Sequence, residues 1–210
     1  LMFARYPGVL SAVQPINTHI PPFDRKNPIP LLERIEWAFK GYELSIPPAN
    51  LNVISKLDRG DGFRVVGGLI DSTVLRIHPQ GQGSFCGLAL DIGTTSLSCV
   101  LINLIDGELI GERSIPNSQI AYGRDILARI SYVMENDFGL KVMRDKVIAG
   151  VASMVSDLLS ELEVTPEDIL EMTVVGNPVM LHLFLGVDPR GLGGAPYTGL
   201  FRGATSVRAG

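Results

Sequence analysis

The chain has 210 residues, of which 46% are hydrophobic and 19% charged, and carries a formal net charge of −4 at pH 7. That length accommodates more than one compact unit, and the mild acidity offers no electrostatic footprint for nucleic acid or an anionic membrane, which leaves small molecules and proteins as the expected partners. No apolar run approaches the roughly 20 residues that span a bilayer, the N-terminus lacks the order of a signal peptide, and the two cysteines, Cys86 and Cys99, lack ligand-type spacing; the expected compartment is the reducing cytoplasm, with both thiols packed as small apolar groups.

Residues 1–30 contain Pro7, Pro15, Pro21, Pro22, Pro28 and Pro30, which prevent a long helix and suggest a linker. Leu31, Leu32, Ile35, Ala38 and Phe39 recur at helical spacing, with Gly41 as a stop. Residues 51–54, 63–66 and 72–77 are β-prone runs separated by the glycine-rich segments 58–62 and 67–68, so residues 31–83 read as a small α+β middle domain. The segment 81–84, G-Q-G-S, reads as a hinge into a second domain over residues 84–210.

Residues 87–95 read G-L-A-L-D-I-G-T-T, an apolar strand that delivers Asp91 into a glycine turn followed by two hydroxyls. Gly93 removes a Cβ that would block close approach of an anion, and Thr94 and Thr95 add hydroxyl donors. A carboxylate beside phosphate is repulsive unless a cation lies between them, so Asp91 points to Mg²⁺ held through its water shell. The turn leads into a second apolar run, 96–105, and Asp106-Gly107 closes a hairpin with residues 108–115. A glycine turn leading into a strand excludes the P-loop and the dinucleotide-binding unit, where it leads into a helix.

Further on, residues 124–135 and 144–162 read as helices, with Ile126, Ile130 and Val133 on one apolar face and Val147, Ile148, Val151, Val155, Leu158, Leu159 and Leu162 on the other. Asn117, Gln119, Tyr122 and Asp125 precede or open the first helix, where polar residues serve as caps or line a cleft. Arg124 and Arg129 are long enough to reach phosphate, but their default is a solvated or ion-paired helix face. Thr165 and Pro166 mark a helix start, residues 172–175 a buried strand, and Pro178 a further apolar helix on which His182 is a packed residue. Gly176 and Asn177 fall at the strand-to-helix junction.

Strand, D-x-G-T-T, strand, D-G, strand resembles the opening of the actin-like ATPase fold shared by sugar kinases, acetate kinases, Hsp70-type chaperones and actin. Residues 117–130, N-S-Q-I-A-Y-G-R-D-I-L-A-R-I, and 174–189, V-V-G-N-P-V-M-L-H-L-F-L-G-V-D-P, with A-P-Y at 195–197, resemble two signatures of the reductive activators of corrinoid proteins. The resemblance implies an α/β fold in which residues 84–210 form the ribonuclease-H-like half of an actin-like ATPase domain. It implies ATP with Mg²⁺, a catalytic Asp91 holding Mg²⁺ through water, phosphate contacts at Gly93, Thr94, Thr95, Gly176 and Asn177, and Asn117, Gln119, Tyr122 and Asp125 as cleft or partner residues. It also implies a homodimer, a corrinoid protein or corrinoid methyltransferase as partner, and reduction of cob(II)alamin to cob(I)alamin by an iron–sulfur ferredoxin module. The chain departs from that pattern in having two cysteines, too few for a cluster, and in beginning at Leu1 and stopping at Gly210 before the second half of the domain, so it reads as an internal piece of a larger enzyme. A sugar or carboxylate kinase would use the same loop, and a non-catalytic actin-like scaffold would keep the fold without turnover.

Overall fold

A computed structural model describes residues 13–23, 26, 28–201 and 203–204. The chain divides into two compact units, one drawn from Leu1–Leu88, Leu101–Gly111 and Leu159–Met172 and the other from Ala89–Val100, Glu112–Leu158 and Thr173–Gly210.

The first unit contains a mixed four-stranded sheet in the order β1-β3-β4-β2, with β1 at Gln14–Ile20, β2 at Glu43–Leu44, β3 at Phe63–Ile70 and β4 at Thr73–Pro79. β1 and β4 lie antiparallel to β3, and β2 runs parallel to β4. Helices α1, Leu31–Ala38, and α2, Pro48–Ser55, complete it, and Ile20, Ile35, Phe39, Ile54, Val65, Leu69, Val74 and Ile77 form its core.

Three expectations are corrected here. The linker reading of residues 1–30 fails over Gln14–Ile20, which pairs with β3; residues 1–12 lie outside the described residues. Pro15 is tolerated because β1 is an edge strand, where a missing N–H forfeits least. Residues 51–54 are helical, not extended: Pro48 occupies the first turn, Asn50 and Ile54 share the buried face, and the Asn50 side chain exchanges 2.8 Å hydrogen bonds with both the N–H and C=O of Ile77. Gly67-Gly68 does not end a strand but lies inside β3, where a Cβ would come 2.5 Å from Phe39 and 2.6 Å from Phe85. The two glycines admit two aromatic rings against the strand.

The expected hinge at 81–84 is bonded in place. Gly83, at φ +74°, approaches His78 so closely that a Cβ would sit 2.2 Å from Nδ1, and the Ser84 N–H donates to Asp168 Oδ1 at 2.7 Å. Asp168 also accepts from the Thr165 N–H at 2.9 Å and hydroxyl at 2.7 Å. The helix start read at Thr165 is thus a single 3₁₀ turn, Pro166–Asp168, that runs directly into β8, Ile169–Gly176.

The second sheet has the order β7-β6-β5-β8, with β5 at Cys86–Ile92, β6 at Ser96–Asn103 and β7 at Leu109–Pro116. The three consecutive strands β5, β6 and β7 are neighbours in the sheet, as the hairpin reading requires, and α3, Ile126–Glu135, α4, Gly139–Glu161, and α5, Pro178–Leu185, follow in order. Met143, Val147, Val151, Met154 and Leu158 mark the buried stripe of α4 at three- and four-residue intervals, whereas Ile126 and Ile148, assigned to apolar faces from sequence, are exposed. β8 was expected to be buried; it is an edge strand of this sheet, with Met172 43% and Val175 54% exposed. No helix among the described residues is long and apolar enough to cross a membrane.

Candidate functional site

In β5, Leu88, Leu90 and Ile92 are buried, so strand alternation turns the intervening Asp91 to the opposite face, where it is exposed. The chain then turns through residues 93–95 into β6. Three successive carbonyls of this turn are held by other elements. The Gly93 oxygen accepts from Asn117 Nδ2 at 2.8 Å, the Thr94 oxygen from Arg129 Nη2 at 2.5 Å, and the Thr95 oxygen from the Asn117 N–H at 2.8 Å. In a planar trans peptide the N–H points opposite to the C=O. Each of these two peptides therefore turns its N–H, that of Thr94 or of Thr95, away from the partner that holds its carbonyl, and the pair is a candidate nest for an anion.

The glycines of the site are required by backbone approach. Gly93 lies outside the left-handed region, and a Cβ there would stand 2.6 Å from the Ser96 oxygen. The side chain is excluded by the hairpin's own return strand, so the requirement exists before any ligand arrives. Gly176 is constrained in the same way, since its Cβ would be 2.9 Å from the Ile92 oxygen at the end of β5. Asn177 then has two tasks: Oδ1 caps α5 by accepting from the Met180 N–H at 3.0 Å, and Nδ2 donates to Thr94 Oγ1 at 3.2 Å. Because that hydroxyl accepts from Asn177, its own hydrogen remains available to an anionic oxygen.

The remaining sequence candidates divide into two groups. Asn117 and Gln119 are buried, 1% and 0% exposed, and belong to the loop's support. Asn117 Oδ1 accepts from the Gln119 N–H at 3.0 Å, capping the 3₁₀ turn Ser118–Tyr122, and Gln119 Nε2 donates to the Met143 oxygen at 2.8 Å. Tyr122 and Asp125 are not brought to the loop: Tyr122 packs edge-on against Tyr132 at 5.0 Å, and Asp125 caps α3 by accepting from the Ala128 N–H at 2.8 Å. His182 is packed as expected, with Nδ1 bonded to the Pro178 oxygen at 2.6 Å and Nε2 accepting from the Leu200 N–H at 3.0 Å.

The residue that sequence reasoning misplaced is Arg129. It is 0% exposed, neither solvated nor hydrogen-bonded to a carboxylate among the described residues. Its guanidinium donates to the Gly123 oxygen at 3.0 Å, Gln119 Oε1 at 2.9 Å, Met180 Sδ at 3.0 Å and the Thr94 oxygen. Burial lowers its pKa, an effect the more distant Asp125 charge opposes. Its neighbour Ile130, also buried, was the available signal: Arg129 adjoins the one α3 position that reaches the core. Arg124 is exposed, as expected.

Cys86 and Cys99 are buried on β5 and β6. Burial, reinforced by the Asp168 charge, pushes the Cys86 thiol up to about 11, and burial raises Cys99 as well. Neither is poised to offer a thiolate, and no group of three potential metal ligands occurs among the described residues.

The frame is a mixed α/β structure carrying an exposed carboxylate and a candidate anion nest on one hairpin. Residues 86–210, more than half of the chain, match the model of the RACo middle region, and the chain belongs to that family. It is similar to the corrinoid activation enzyme RamQ of Eubacterium limosum, 34% identical over 122 residues, which are 58% of this chain and 21% of that protein. A solved structure of a reductive activator for a corrinoid iron–sulfur protein superposes with a TM-score of 0.69 at 29% identity, covering 95% of this chain and 33% of the other. The chain thus spans about a fifth to a third of these relatives.

Proposed function

We propose that this chain supplies part of the ATP-binding domain of an enzyme that reductively activates a corrinoid protein, returning cob(II)alamin to cob(I)alamin, and that the second sheet with its helices is the ribonuclease-H-like half of an actin-like ATPase domain. The observation that carries the reading is the 91–95 turn, whose Gly93, Thr94 and Thr95 carbonyls are held by Asn117 and Arg129 while the Asp91 carboxylate at its start stands exposed. The names of the two relatives, a corrinoid activation enzyme and a reductive activator, support the substrate class.

In this reading the Thr94 and Thr95 N–H groups and the Thr94 hydroxyl hold phosphate oxygens, Gly176 lets β8 lie close to the end of β5, and Asn177 orients the hydroxyl. The Asp91 carboxylate, which no hydrogen bond among the described residues engages, is free to hold Mg²⁺ through water. Bound Mg²⁺ would neutralise charge accumulating on the transferring phosphoryl group. The two buried thiols do not fit an iron–sulfur cluster, so the electron carrier belongs to another module of the parent. Nucleotide hydrolysis can drive an uphill electron transfer only if the nucleotide states differ in affinity for the corrinoid protein, and that coupling is reciprocal.

The test is phosphate release by the longer protein containing this segment, assayed with a cob(II)alamin-bearing protein and separately with sugars and polyols. Stimulation by the corrinoid protein is expected, with Asp91→Asn abolishing turnover while sparing most of the nucleotide affinity. Stoichiometric formation of a sugar phosphate, with no response to the corrinoid protein, would overturn the reading in favour of a kinase.

A further inference from the structure

A buried guanidinium surrounded by neutral acceptors is an unusual economy for a protein. Removing an ionised group from water is unfavourable unless an opposite charge lies within reach, and Arg129 makes four hydrogen bonds without one to a carboxylate among the described residues. Three of those partners would be served equally well by a neutral donor, since two are peptide oxygens and one is the amide oxygen of Gln119. One of these three contacts makes the arrangement intelligible. Arg129 Nη2 bonds the Thr94 carbonyl, and the N–H on the far side of that same peptide, Thr95, faces the nest.

We propose that Arg129 is a positioning residue whose buried positive charge is compensated by the phosphate that occupies the nest, one peptide away on the other side of the loop. The inference rests on the nucleotide reading above. Arg129 acts in two ways. Its fork fixes the 94–95 peptide by tying it to Gly123 and Gln119, so that the Thr95 N–H is aimed before the ligand arrives. Its charge polarises that peptide, since a cation at the carbonyl end strengthens the N–H as a donor, and, being buried, it is screened less than a surface charge and so attracts an anion held at the exposed Thr95. Asp125 does not fulfil this compensating role: it is exposed, and its side chain is engaged in capping α3. Burial lowers the pKa of Arg129 by more than the Asp125 charge raises it, which agrees with a cation only partly offset by its surroundings.

Two variants separate charge from hydrogen bonding. Arg129→Gln keeps an amide donor for the Thr94 carbonyl and removes the charge; Arg129→Lys keeps the charge and loses the fork. The experiment titrates the 210-residue chain with Mg²⁺–ATP, and in parallel with inorganic tripolyphosphate, following the Thr94 and Thr95 amide resonances in ¹⁵N spectra. Melting curves of the unliganded variants set a temperature at which each is folded. The expected result is that Arg129→Gln weakens both ligands about tenfold, the size of one unit charge acting across a peptide at intermediate dielectric, and reduces the Thr95 amide shift, while Arg129→Lys falls between it and the unsubstituted chain. If the unsubstituted chain shows no shift at Thr94 and Thr95 with either ligand, the nucleotide reading fails and takes this inference with it. If that chain binds and Arg129→Gln binds equally well, or if Lys is no better than Gln, the nucleotide reading stands and the role of Arg129 is overturned. Should Arg129→Gln fail to fold, the comparison of Arg129→Lys with the unsubstituted chain decides, because a residue needed only for its hydrogen bonds would lose affinity for tripolyphosphate in proportion to its loss of melting temperature.

Discussion

Among the described residues each unit buries one arginine almost completely, and the two are treated in opposite ways. Arg34, 2% exposed, lies on α1 and is paired through both terminal nitrogens with the Asp58 carboxylate, while the Pro21 oxygen accepts at 3.0 Å and the Phe23 ring lies 5.9 Å from the guanidinium carbon. Its charge is balanced within the unit. Arg129, 0% exposed, has a sulfur, two peptide oxygens and a side-chain amide as partners. Burial alone therefore does not tell the two arginines apart; the charge of the partner does. A carboxylate closes the account of charge in the folded state, and neutral acceptors leave it open to a ligand.

The largest expected effect tests the closed case. Asp58→Ala would leave Arg34 buried without its counter-charge, and breaking such a pair destabilises by about 3 kcal/mol, at the lower end of the usual range because Asp58 is partly exposed. Urea denaturation measures it. A loss below about 1 kcal/mol, the range of surface pairs, would show that water reaches Arg34 and would dissolve the contrast with Arg129.

Next is the loop itself. Gly93→Ala forces a Cβ against the Ser96 oxygen, an overpacking of backbone that costs about 2 kcal/mol. Gly107, in the next turn between β6 and β7, is the control: it has φ +74° but open space around its Cβ position, so Gly107→Ala meets only the left-handed backbone penalty, about 1 kcal/mol. Equal losses would mean that the return strand at Ser96 yields and that Gly93 is not fixed by the hairpin. The nest would then be less preorganised than its hydrogen bonds indicate.

Smaller still is the separation of two caps. Asp125→Ala removes one capping bond from α3 and should lower stability by about 1 kcal/mol without affecting phosphate binding. Asn177→Ser retains an oxygen able to cap α5 and loses the amide that engages Thr94 Oγ1, so it should cost only a few tenths of a kcal/mol in stability yet weaken Mg²⁺–ATP. Calorimetric titration beside thermal melting distinguishes them; a cap variant at Asp125 that loses nucleotide would place Asp125 in the site after all.

What was legible follows from these same residues. The hairpin and Asp91 were readable because strand alternation and glycine turns are encoded locally, within ten residues. Asn117, Gln119 and Asn177 could be singled out, yet their work as buttresses could not, because Asn117 and Asn177 reach the 93–95 turn from more than 20 residues away and Gln119 acts on it only through Asn117 and Arg129. Arg129 was misplaced for the complementary reason: local periodicity sets an arginine beside Ile130 on a helix edge, and only tertiary packing shows that the edge is covered. α2 was misread because Val53 and Ile54 favour strands, whereas the Pro48 start and the Asn50 bonds to Ile77 impose a helix. β8 was taken as buried from its apolar content, and its position at the sheet edge is a property of topology, not composition.

The smallest effect concerns charge that the first unit balances by pH. His78 and Asp168 lie 3.6 Å apart, both buried, with Arg76 on the same strand as His78 and the Phe85 ring 5.1 Å from the imidazole. Burial lowers the His78 pKa from its ordinary 6.5, more than the Asp168 charge raises it. For Asp168, burial pushes upward, but hydrogen bonds from Ser84 and Thr165 and the His78 charge outweigh it, so its pKa falls below 3.8. The two signs agree. A depressed histidine is neutral in the fold while the unfolded chain takes up a proton, so its stabilisation is complete above 6.5 and is lost as pH falls from there to the folded value. Asp168 contributes stability that is present above 3.8 and is lost below it. Unfolding midpoints in urea should accordingly decline in two steps on acidification, with His78→Gln flattening the upper step and Asp168→Asn the lower. Arg129 titrates far above this window, so its variants should leave both steps in place. A midpoint that stays level as pH falls through 6.5 would show that His78 takes up its proton equally well in the fold, and that its burial beside Asp168 carries no linkage at all.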